Sequence, residues 1–180
     1  MTGNITDDSA LVQGARSGEE DAFRQLVTRY QGPLFAIAYG IVMSSHDAAD
    51  VVQDAFLRFY RNIDLFDSSR PLKPYLATIT ANLAKDILRR RLRRNETSVE
   101  DEVAASLTDE APGPIHETTR SERHEGVRSL LHQLPETMRN VCVLFYLGES
   151  SCKQVAATLG MTETAVKVNL HRARKRLLEM

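Results

Sequence analysis

The sequence predicts an all-α protein made of two small helical domains joined by a flexible acidic linker. Apolar residues recur at helical spacing along most of the chain, and no segment shows the alternation typical of a strand. From 95 to 120 the composition changes abruptly to acidic residues, serine and threonine, with helix breakers at 111–114. We therefore divide the chain into a disordered N-terminus (1–9), a first domain (10–94), the linker (95–120) and a second domain (121–180).

Composition narrows the class of protein. The 180 residues are 42% hydrophobic, which is enough for packed cores. No apolar run approaches the roughly 20 residues of a membrane span, and the polar, acidic N-terminus resembles no signal peptide. Cys142 and Cys152 are the only cysteines and suggest no disulfide framework. We therefore expect a cytoplasmic protein in a reducing environment.

The distribution of charge favours contact with nucleic acid, although the formal net charge is only −1. Basic residues are concentrated at 85–94 and 167–176, whereas acidic residues are concentrated at 96–125. Affinity for phosphate follows the local field more than the total charge. We therefore expect DNA binding that is weak for the chain alone and that depends on a partner.

The first domain begins with two helical segments separated by Gly18. Apolar residues of 11–15 mark the first segment, and those of 23–41 mark the second. Gly32 and Pro33 interrupt the second segment. Because proline kinks a helix interior but is tolerated in a first turn, this segment is either one bent helix or two.

A third helix follows Ser44 and Ser45, and a fourth occupies 74–94. The loop between them, 62–72, is rich in turn-forming aspartate, serine and proline. The cations at the C-terminal end of the fourth helix also suit the helix dipole. The inward stripe of the third helix is formed by Val52, Phe56, Phe59 and Ile63.

The second domain begins with an apolar stripe over 127–134, after which Pro135 opens a helix that Gly148 ends. Cys142 lies on the apolar face of this helix, so we expect it to pack in the core. A domain of about 60 residues is only marginally stable alone.

The stretch 150–180 predicts a helix-turn-helix motif. Ser151 and Gln154 are spaced as a capping box, Gly160 can take the left-handed backbone that ends the first helix, and Thr162 can cap the second. Two short helices joined by a tight turn containing glycine are typical of this motif. The polar face of the second helix can reach base edges through its first turns and phosphates through its last. The predicted DNA-binding residues are Thr162, Glu163, Thr164, Lys167, Val168, His171, Arg172 and Lys175.

These segments together resemble a bacterial RNA polymerase sigma factor of the extracytoplasmic-function class, in the sigma-70 family. DAADVVQDAFLRFYRN is similar to the family's region 2 signature, and YLATITANLAKDILRRRLRR to the segment that opens the promoter. Residues 134–177 are similar to region 4, and the matches keep the family's order over nearly the whole chain. The resemblance implies promoter-specific transcription initiation.

The resemblance also implies the partners. These are core RNA polymerase, through its β′ clamp helices and β flap, and promoter DNA, with an anti-sigma protein as a further candidate. Region 4 would read the upstream −35 element, and region 2 would melt and capture the −10 element. The protein itself would contribute no catalytic group, cofactor or metal.

The resemblance assigns two surfaces to the first domain. On the polymerase-docking surface, acidic and amide groups can pair with arginine on a partner helix while apolar neighbours exclude water. Its residues are Asp50, Gln53, Asp54, Leu57 and Arg58. On the −10 surface, a loop forms the pocket for a flipped base, the Asn82 amide faces that pocket, and arginines hold phosphates. Its residues are Phe66, Asp67, Ser68, Arg70, Tyr75, Asn82, Arg89, Arg90 and Arg93, with Ser69, Arg91 and Arg94 beside them.

The linker would thread toward the path of the nascent RNA and mimic nucleic-acid charge there. Its acidic residues are Glu96, Glu100, Asp101, Glu102, Asp109 and Glu110.

The sequence departs from the family pattern at three places. Tyr75 stands where tryptophan is usual, and Cys152 replaces an aromatic residue in the first helix of the motif. The recognition helix reads Lys167-Val168-Asn169 instead of Lys-Ser-Arg. Losing an arginine removes one phosphate or guanine contact, whereas Val168 could meet a thymine methyl group. We therefore expect an unusual upstream element.

Three other interpretations stay open at this point. The basic C-terminal helix could simply be a solvated amphipathic helix. The chain could be a dimeric helix-turn-helix regulator that acts without polymerase, although this leaves the region 2 resemblance unexplained. An enzyme is disfavoured, because the five histidines form no zinc motif and no glycine-rich phosphate loop occurs. A zinc site would need Cys142, Cys152 and His171 to meet.

Overall fold

A computed structural model describes residues 3–97 and 133–179, with side chains described over 7–93 and 133–179. The described residues form helices and turns and contain no strand, as the periodicity predicts. Most of the predicted linker, including five of its acids, lies outside these residues, as does the predicted stripe at 127–132.

The first domain is a four-helix arrangement built around its second helix. The helices are α1 (Gly3–Arg16), α2 (Glu20–Val42), α3 (Ser45–Arg61) and α4 (Leu72–Thr97), with one 3-10 turn at Ile63–Leu65. Helix α2 packs against each of the other three, so its apolar residues supply the centre of the core. The largest fully buried side chains here include Leu26, Leu34, Ile37, Phe59 and Leu76.

The N-terminus differs from the prediction, because helix α1 already begins at Gly3. Long-range contacts hold it in place. Arg29 of α2 pairs with Asp7 and with Asp8, each at 2.6 Å, and the hydroxyl of Tyr30 donates to Asp8. Burial and the Asp8 carboxylate raise the pKa of Tyr30 well above its usual range. The polar sequence of 1–9 suggested disorder, but its acids have cationic and hydroxyl partners on α2.

Helix α2 continues through Pro33 as a single element. It ends at Val42, and its C-cap Met43 has a left-handed backbone (φ 55°) and donates its N–H to the carbonyl of Tyr39 at 2.8 Å. Ser44 then caps α3, accepting a hydrogen bond from the N–H of Asp47 at 3.3 Å. Because α2 is continuous through Pro33, the alternative of two separate helices in this segment is excluded.

The second domain follows its local sequence signals closely. Its helices are α5 (Glu136–Cys142), continued by a π-helical turn (Val143–Leu147), then α6 (Cys152–Leu159) and α7 (Glu163–Leu178). The capping box of Ser151 and Gln154 is present, Gly160 is left-handed (φ 68°), and Thr162 accepts from the N–H of Ala165 at 3.1 Å. The predicted helix-turn-helix is thus confirmed.

The two domains lie against each other. Helix α5 and the π-helical turn pack on α2, and α6 packs on α4. We call this the closed arrangement. Polar contacts between described residues also join the domains: Arg139 Nε donates to the carbonyl of Gly40 at 2.8 Å, Lys85 Nζ to that of Thr158 at 2.8 Å, and Lys73 Nζ lies 2.7 Å from Glu149 Oε1.

None of the helices described here is both long enough and apolar enough to span a bilayer.

Candidate nucleic-acid and protein-binding surfaces

Helix α7 presents its predicted DNA-binding residues to solvent. Val166, Leu170 and Ala173 are buried against the rest of the second domain. A helix turns about 100° per residue, so the opposite side carries the polar residues of the first turns and the cations of the last. All the predicted residues on α7 and its cap are exposed: Thr162, Glu163, Thr164, Lys167, Val168, His171, Arg172 and Lys175.

Two neighbouring side chains of α7 are occupied within the protein. Arg174 donates from Nε to the hydroxyl of Tyr146 at 2.5 Å, and its guanidinium lies 5.7 Å from the centre of that ring. Asn169 donates from its amide to the carbonyl of Ala165 at 2.8 Å. Asn169 is one of the departures from the family pattern, and its amide N–H is used in a hydrogen bond within α7. Val168 is 41% exposed and offers an apolar surface instead.

Helix α3 carries the predicted polymerase-docking residues on one exposed face. Their spacing of three and four residues places them on one side of the helix, opposite a buried stripe that includes Val52, Ala55 and Phe59. All members of the set are exposed: Asp50, Gln53, Asp54, Leu57 and Arg58. The face is therefore acidic and polar around one apolar residue.

An aromatic residue that the sequence analysis missed extends this face. Tyr60 is half-exposed, and its ring centre lies 4.9 Å from that of Phe23. With Leu57 and Ala15 these rings line a shallow recess of about 180 Å³, whose rim includes Glu19 and Glu20. Tyr60 follows Leu57 by three residues, and this helical spacing could have placed it on the same face of α3. An acidic rim around an apolar recess suits a basic helix with an apolar ridge.

The loop between α3 and α4 has a buried side and an exposed side. Phe66 is only 5% exposed and packs on Tyr75 at 4.9 Å and on Phe59 at 6.1 Å between ring centres. It therefore forms the floor of the loop, whereas its predicted role in the −10 surface stays a prediction. Asp67 and Arg70 are exposed, and Ser68 is half-buried.

Asp67 organises the exposed tip of this loop. Its Oδ1 accepts from the N–H of Ser69 at 3.0 Å and from the Ser69 hydroxyl at 2.6 Å, while its Oδ2 lies 3.2 Å from Arg70 Nε. The hydrogen bonds from Ser69 lower the pKa of the Asp67 carboxyl, and Arg70 adds to the effect. The loop tip thus presents an ionised carboxylate next to a guanidinium.

Helix α4 aligns four of the predicted −10 residues in a single row. Tyr75, Asn82 and Arg89 are seven residues apart, about two helical turns, and Arg93 follows Arg89 by one turn. Tyr75 is half-buried beside the loop, whereas the other three are exposed. Arg90 is also exposed, at the edge of the row. The loop, an amide and a series of cations therefore lie along one side of one helix.

Among the arginines of α4 whose side chains are described, Arg91 differs from the others in its burial. It is half-buried, pairs with Asp47 at the start of α3, and donates to the carbonyl of Val42 at 3.3 Å. This side chain holds α4 against the α2–α3 junction, so its expected phosphate contact is not supported. The side chain of Arg94 lies outside the described residues.

The cysteines and histidines do not form the zinc site considered above within the described residues. Cys142 is buried, which raises the pKa of its thiol, and Cys152 is half-buried. The group there that does offer metal-ligand atoms within 4.8 Å of one another is His46, Asp47 and Asp50. Because Asp47 is engaged by Arg91, we assign no metal to this group.

Comparison with known families matches both domains. The family Sigma-70 region 2 matches residues 26–94, and the family Sigma-70, region 4 matches residues 124–177. RNA polymerase sigma factor CnrH of Cupriavidus metallidurans is 33% identical over 94% of this chain and 92% of its own. The ECF RNA polymerase sigma-E factor of Escherichia coli is 31% identical over 97% and 94%. The probable RNA polymerase sigma factor RfaY of Xanthomonas campestris is longer, and the match spans 40% of it.

Solved structures show the same architecture. CnrH in complex with the cytosolic domain of CnrY is 30% identical and superposes with a TM-score of 0.63, covering 96% of each chain. The sigma factor RpoE of Bartonella quintana, in complex with the anti-sigma factor NepR, is 25% identical with a TM-score of 0.66 over 87% of this chain and 94% of that one.

The protein therefore binds core RNA polymerase and directs promoter-specific initiation, and the polymerase-independent regulator is not favoured. With both family regions matched in order and relatives aligned over almost its entire length, the chain belongs to the extracytoplasmic-function class of the sigma-70 family.

Proposed function

We propose that the two domains divide promoter recognition between them. The α7 face reads the upstream −35 element, and the α3–α4 loop together with the row on α4 melts and captures the −10 element. The observation that carries this division is the row itself. Tyr75, Asn82 and Arg89 lie on one side of α4, which is half-buried at Tyr75 beside the loop and exposed from Asn82 onward.

Base capture needs a surface that compensates for lost stacking, which costs a few kcal/mol per base. The Asn82 amide can donate to and accept from a base edge. The charged tip of Asp67 and Arg70 offers a further acceptor and donor, while buried Phe66 and half-buried Tyr75 form an aromatic floor beneath them. Arg89, Arg90 and Arg93 then hold the adjacent phosphates, which positions the strand without reading its sequence.

The α7 face suits the major groove. Thr164, Lys167 and Val168 lie in the first turns, where base edges are within reach, and the later cations suit phosphates. Val168 in place of a polar residue favours contact with a thymine methyl group. The upstream element is therefore expected to contain thymine opposite this position.

The exposed face of α3 docks on core polymerase. Asp50, Gln53 and Asp54 would pair with cations on the clamp helices, while Leu57 and the recess beside Tyr60 receive an apolar side chain. Asp54→Ala should weaken capture of core polymerase in a pull-down without changing the melting temperature, because the side chain is exposed. Glu179→Ala removes an exposed acid from the other domain and serves as the matched control. Full retention by the Asp54 variant would remove it from the docking surface.

In this proposal the chain contributes binding contacts and no catalytic group, and it acts in the cytoplasm, where polymerase and DNA are. The acidic residues of its linker mimic the charge of nucleic acid near the nascent RNA. Since a matched relative was solved with an anti-sigma factor, a similar inhibitor is a candidate partner here. Replacing the linker acids with serine or asparagine should change abortive synthesis, and an unchanged pattern would contradict that role.

Run-off transcription with purified core polymerase and a library of random promoters tests the proposal. We expect the holoenzyme to select templates that share an upstream and a −10 motif and to start at fixed positions. Arg70→Ala and Asn82→Ala should reduce selection at the −10 motif only, whereas Lys167→Ala should reduce it at the upstream motif only. Selection of the same sites by the chain without polymerase would contradict the proposal.

A further inference from the structure

One guanidinium from the N-terminal helix ties together the backbone of the α3–α4 loop. Arg16, the last residue of α1, donates to the carbonyl of Ile63 from Nε at 3.0 Å and from a terminal nitrogen at 2.8 Å. It also donates to the carbonyl of Phe66 and, at 3.2 Å, to the hydroxyl of Ser68. Three acceptors spread over six residues of loop are thus fixed by one planar cation.

The loop has few internal contacts that could replace this cation. Its backbone bonds are single turns, from Leu65 N–H to Asn62, from Phe66 N–H to Ile63 and from Arg70 N–H to Asp67, at 3.0 to 3.2 Å. None of these joins the buried half of the loop to its exposed tip. Arg16 does so, because it contacts both the 3-10 turn and Ser68, next to Asp67.

Helix α1 is itself held at its other end. Asp7 and Asp8 pair with Arg29, and the hydroxyl of Tyr30 donates to Asp8, so the N-terminal half of α1 is fixed on α2. Val12, between the two ends, is fully buried. Helix α1 is therefore fixed on α2 through its acidic residues, and Arg16 at its C-terminal end contacts the loop.

We propose that Arg16 is a positioning residue for capture of the melted −10 strand, in that it holds the loop in its receptive shape before DNA arrives. The inference rests on the proposed role of the loop and row in base capture. In this role Arg16 acts through its bonds to Ile63, Phe66 and Ser68 and is assigned no contact of its own with the strand. A loop fixed in advance loses less conformational entropy on binding, so its affinity for the strand is higher.

The test uses the holoenzyme and a fluorescent single-stranded oligonucleotide, the non-template −10 strand of a promoter selected in the run-off experiment. Arg16→Gln should weaken binding of this strand about tenfold, since hydrogen bonds from a charged group favour the receptive shape of the loop by a factor on the order of ten or more. Arg16→Lys should recover part of the loss, because a point charge can satisfy only some of the acceptors. Arg24→Gln, which removes an exposed guanidinium on α2 from an ion pair with Asp21, is the matched charge control and should bind like the wild type.

A second readout separates positioning from stability. With 2-aminopurine at the flipped position, fluorescence reports the unstacked base, and the Arg16→Gln holoenzyme should show a reduced signal at saturating DNA below its melting temperature. Normal strand affinity and normal fluorescence in Arg16→Gln, while Arg70→Ala and Asn82→Ala lose binding, would overturn the inference and leave the proposed function standing. Normal binding by the Arg70 and Asn82 variants would instead overturn the proposed function.

Discussion

Single side chains on α7 either hold the second domain together or face outward. Arg174 is bound to Tyr146, and Asn169 to its own helix, whereas Lys167 and His171 are exposed on the outward face. The local spacing predicted that these residues are exposed, and their contact with DNA stays a prediction. It could not predict the partner of Arg174, because Tyr146 lies 28 residues earlier and meets it only in the folded domain.

Lys167→Ala and His171→Ala should each weaken binding to the upstream element by about 1–3 kcal/mol if the side chain meets a base. DNase protection by the holoenzyme measures this. Arg176→Ala removes an exposed cation from the same helix but off the outward face, and we expect a smaller loss. Unaltered protection with the Lys167 and His171 variants would show that the recognition face lies elsewhere.

The two cysteines should differ in reactivity. Burial raises the pKa of the Cys142 thiol, so a smaller fraction of it is thiolate near pH 8. Because the side chain is buried, an alkylating reagent also has little access to it. Brief alkylation with iodoacetamide in the native state should therefore modify Cys152 first, and Cys142 should react fully only after unfolding. Mass spectrometry of the peptides distinguishes them. Equal native rates would mean that Cys142 is not held in the core.

At the scale of helices, the elements with strong end signals were predictable. Ser151, Gly160 and Thr162 each act on backbone atoms within a few residues of themselves, so the sequence alone defines those boundaries. Helix α1 was extended beyond its prediction because Asp7 and Asp8 find partners on α2. Likewise, the burial of Phe66 and the inward turn of Arg91 depend on contacts between helices that spacing does not reveal.

Ser151→Ala should lower the free energy of unfolding by about 1 kcal/mol, because it removes the cap of α6 and one half of the capping box. Urea unfolding followed by circular dichroism measures the change. Lys153→Ala, an exposed substitution within the same helix, should stay within about 0.5 kcal/mol of the wild type. Equal effects of the two substitutions would indicate that the box contributes little to stability.

For the whole molecule, the closed arrangement is the feature that the sequence did not predict. We expected two bodies on a flexible linker, whereas Arg139, Lys85 and the Lys73–Glu149 pair join them directly. These contacts connect residues more than 70 positions apart, so no periodicity signals them. In the closed arrangement the α7 face and the row on α4 are both exposed, but their separation is fixed.

Reversing one charge should open the protein. Glu149→Lys places two cations where an ion pair now lies, and we expect a radius of gyration in small-angle X-ray scattering above the wild-type value. The double variant Lys73→Glu, Glu149→Lys restores opposite charges and should return the radius toward the wild type. A single variant with unchanged radius would show that the pair does not hold the domains together.

Arg139 gives the joint between the domains a particular character. Its guanidinium is bonded to the carbonyl oxygens of Gly40 and Leu134, and burial lowers its pKa. Desolvating a cation costs free energy that carbonyl dipoles offset only in part. Water would solvate this guanidinium again as soon as the two domains separate. A partner that binds the separated domains more tightly can therefore open this interface without unfolding either domain.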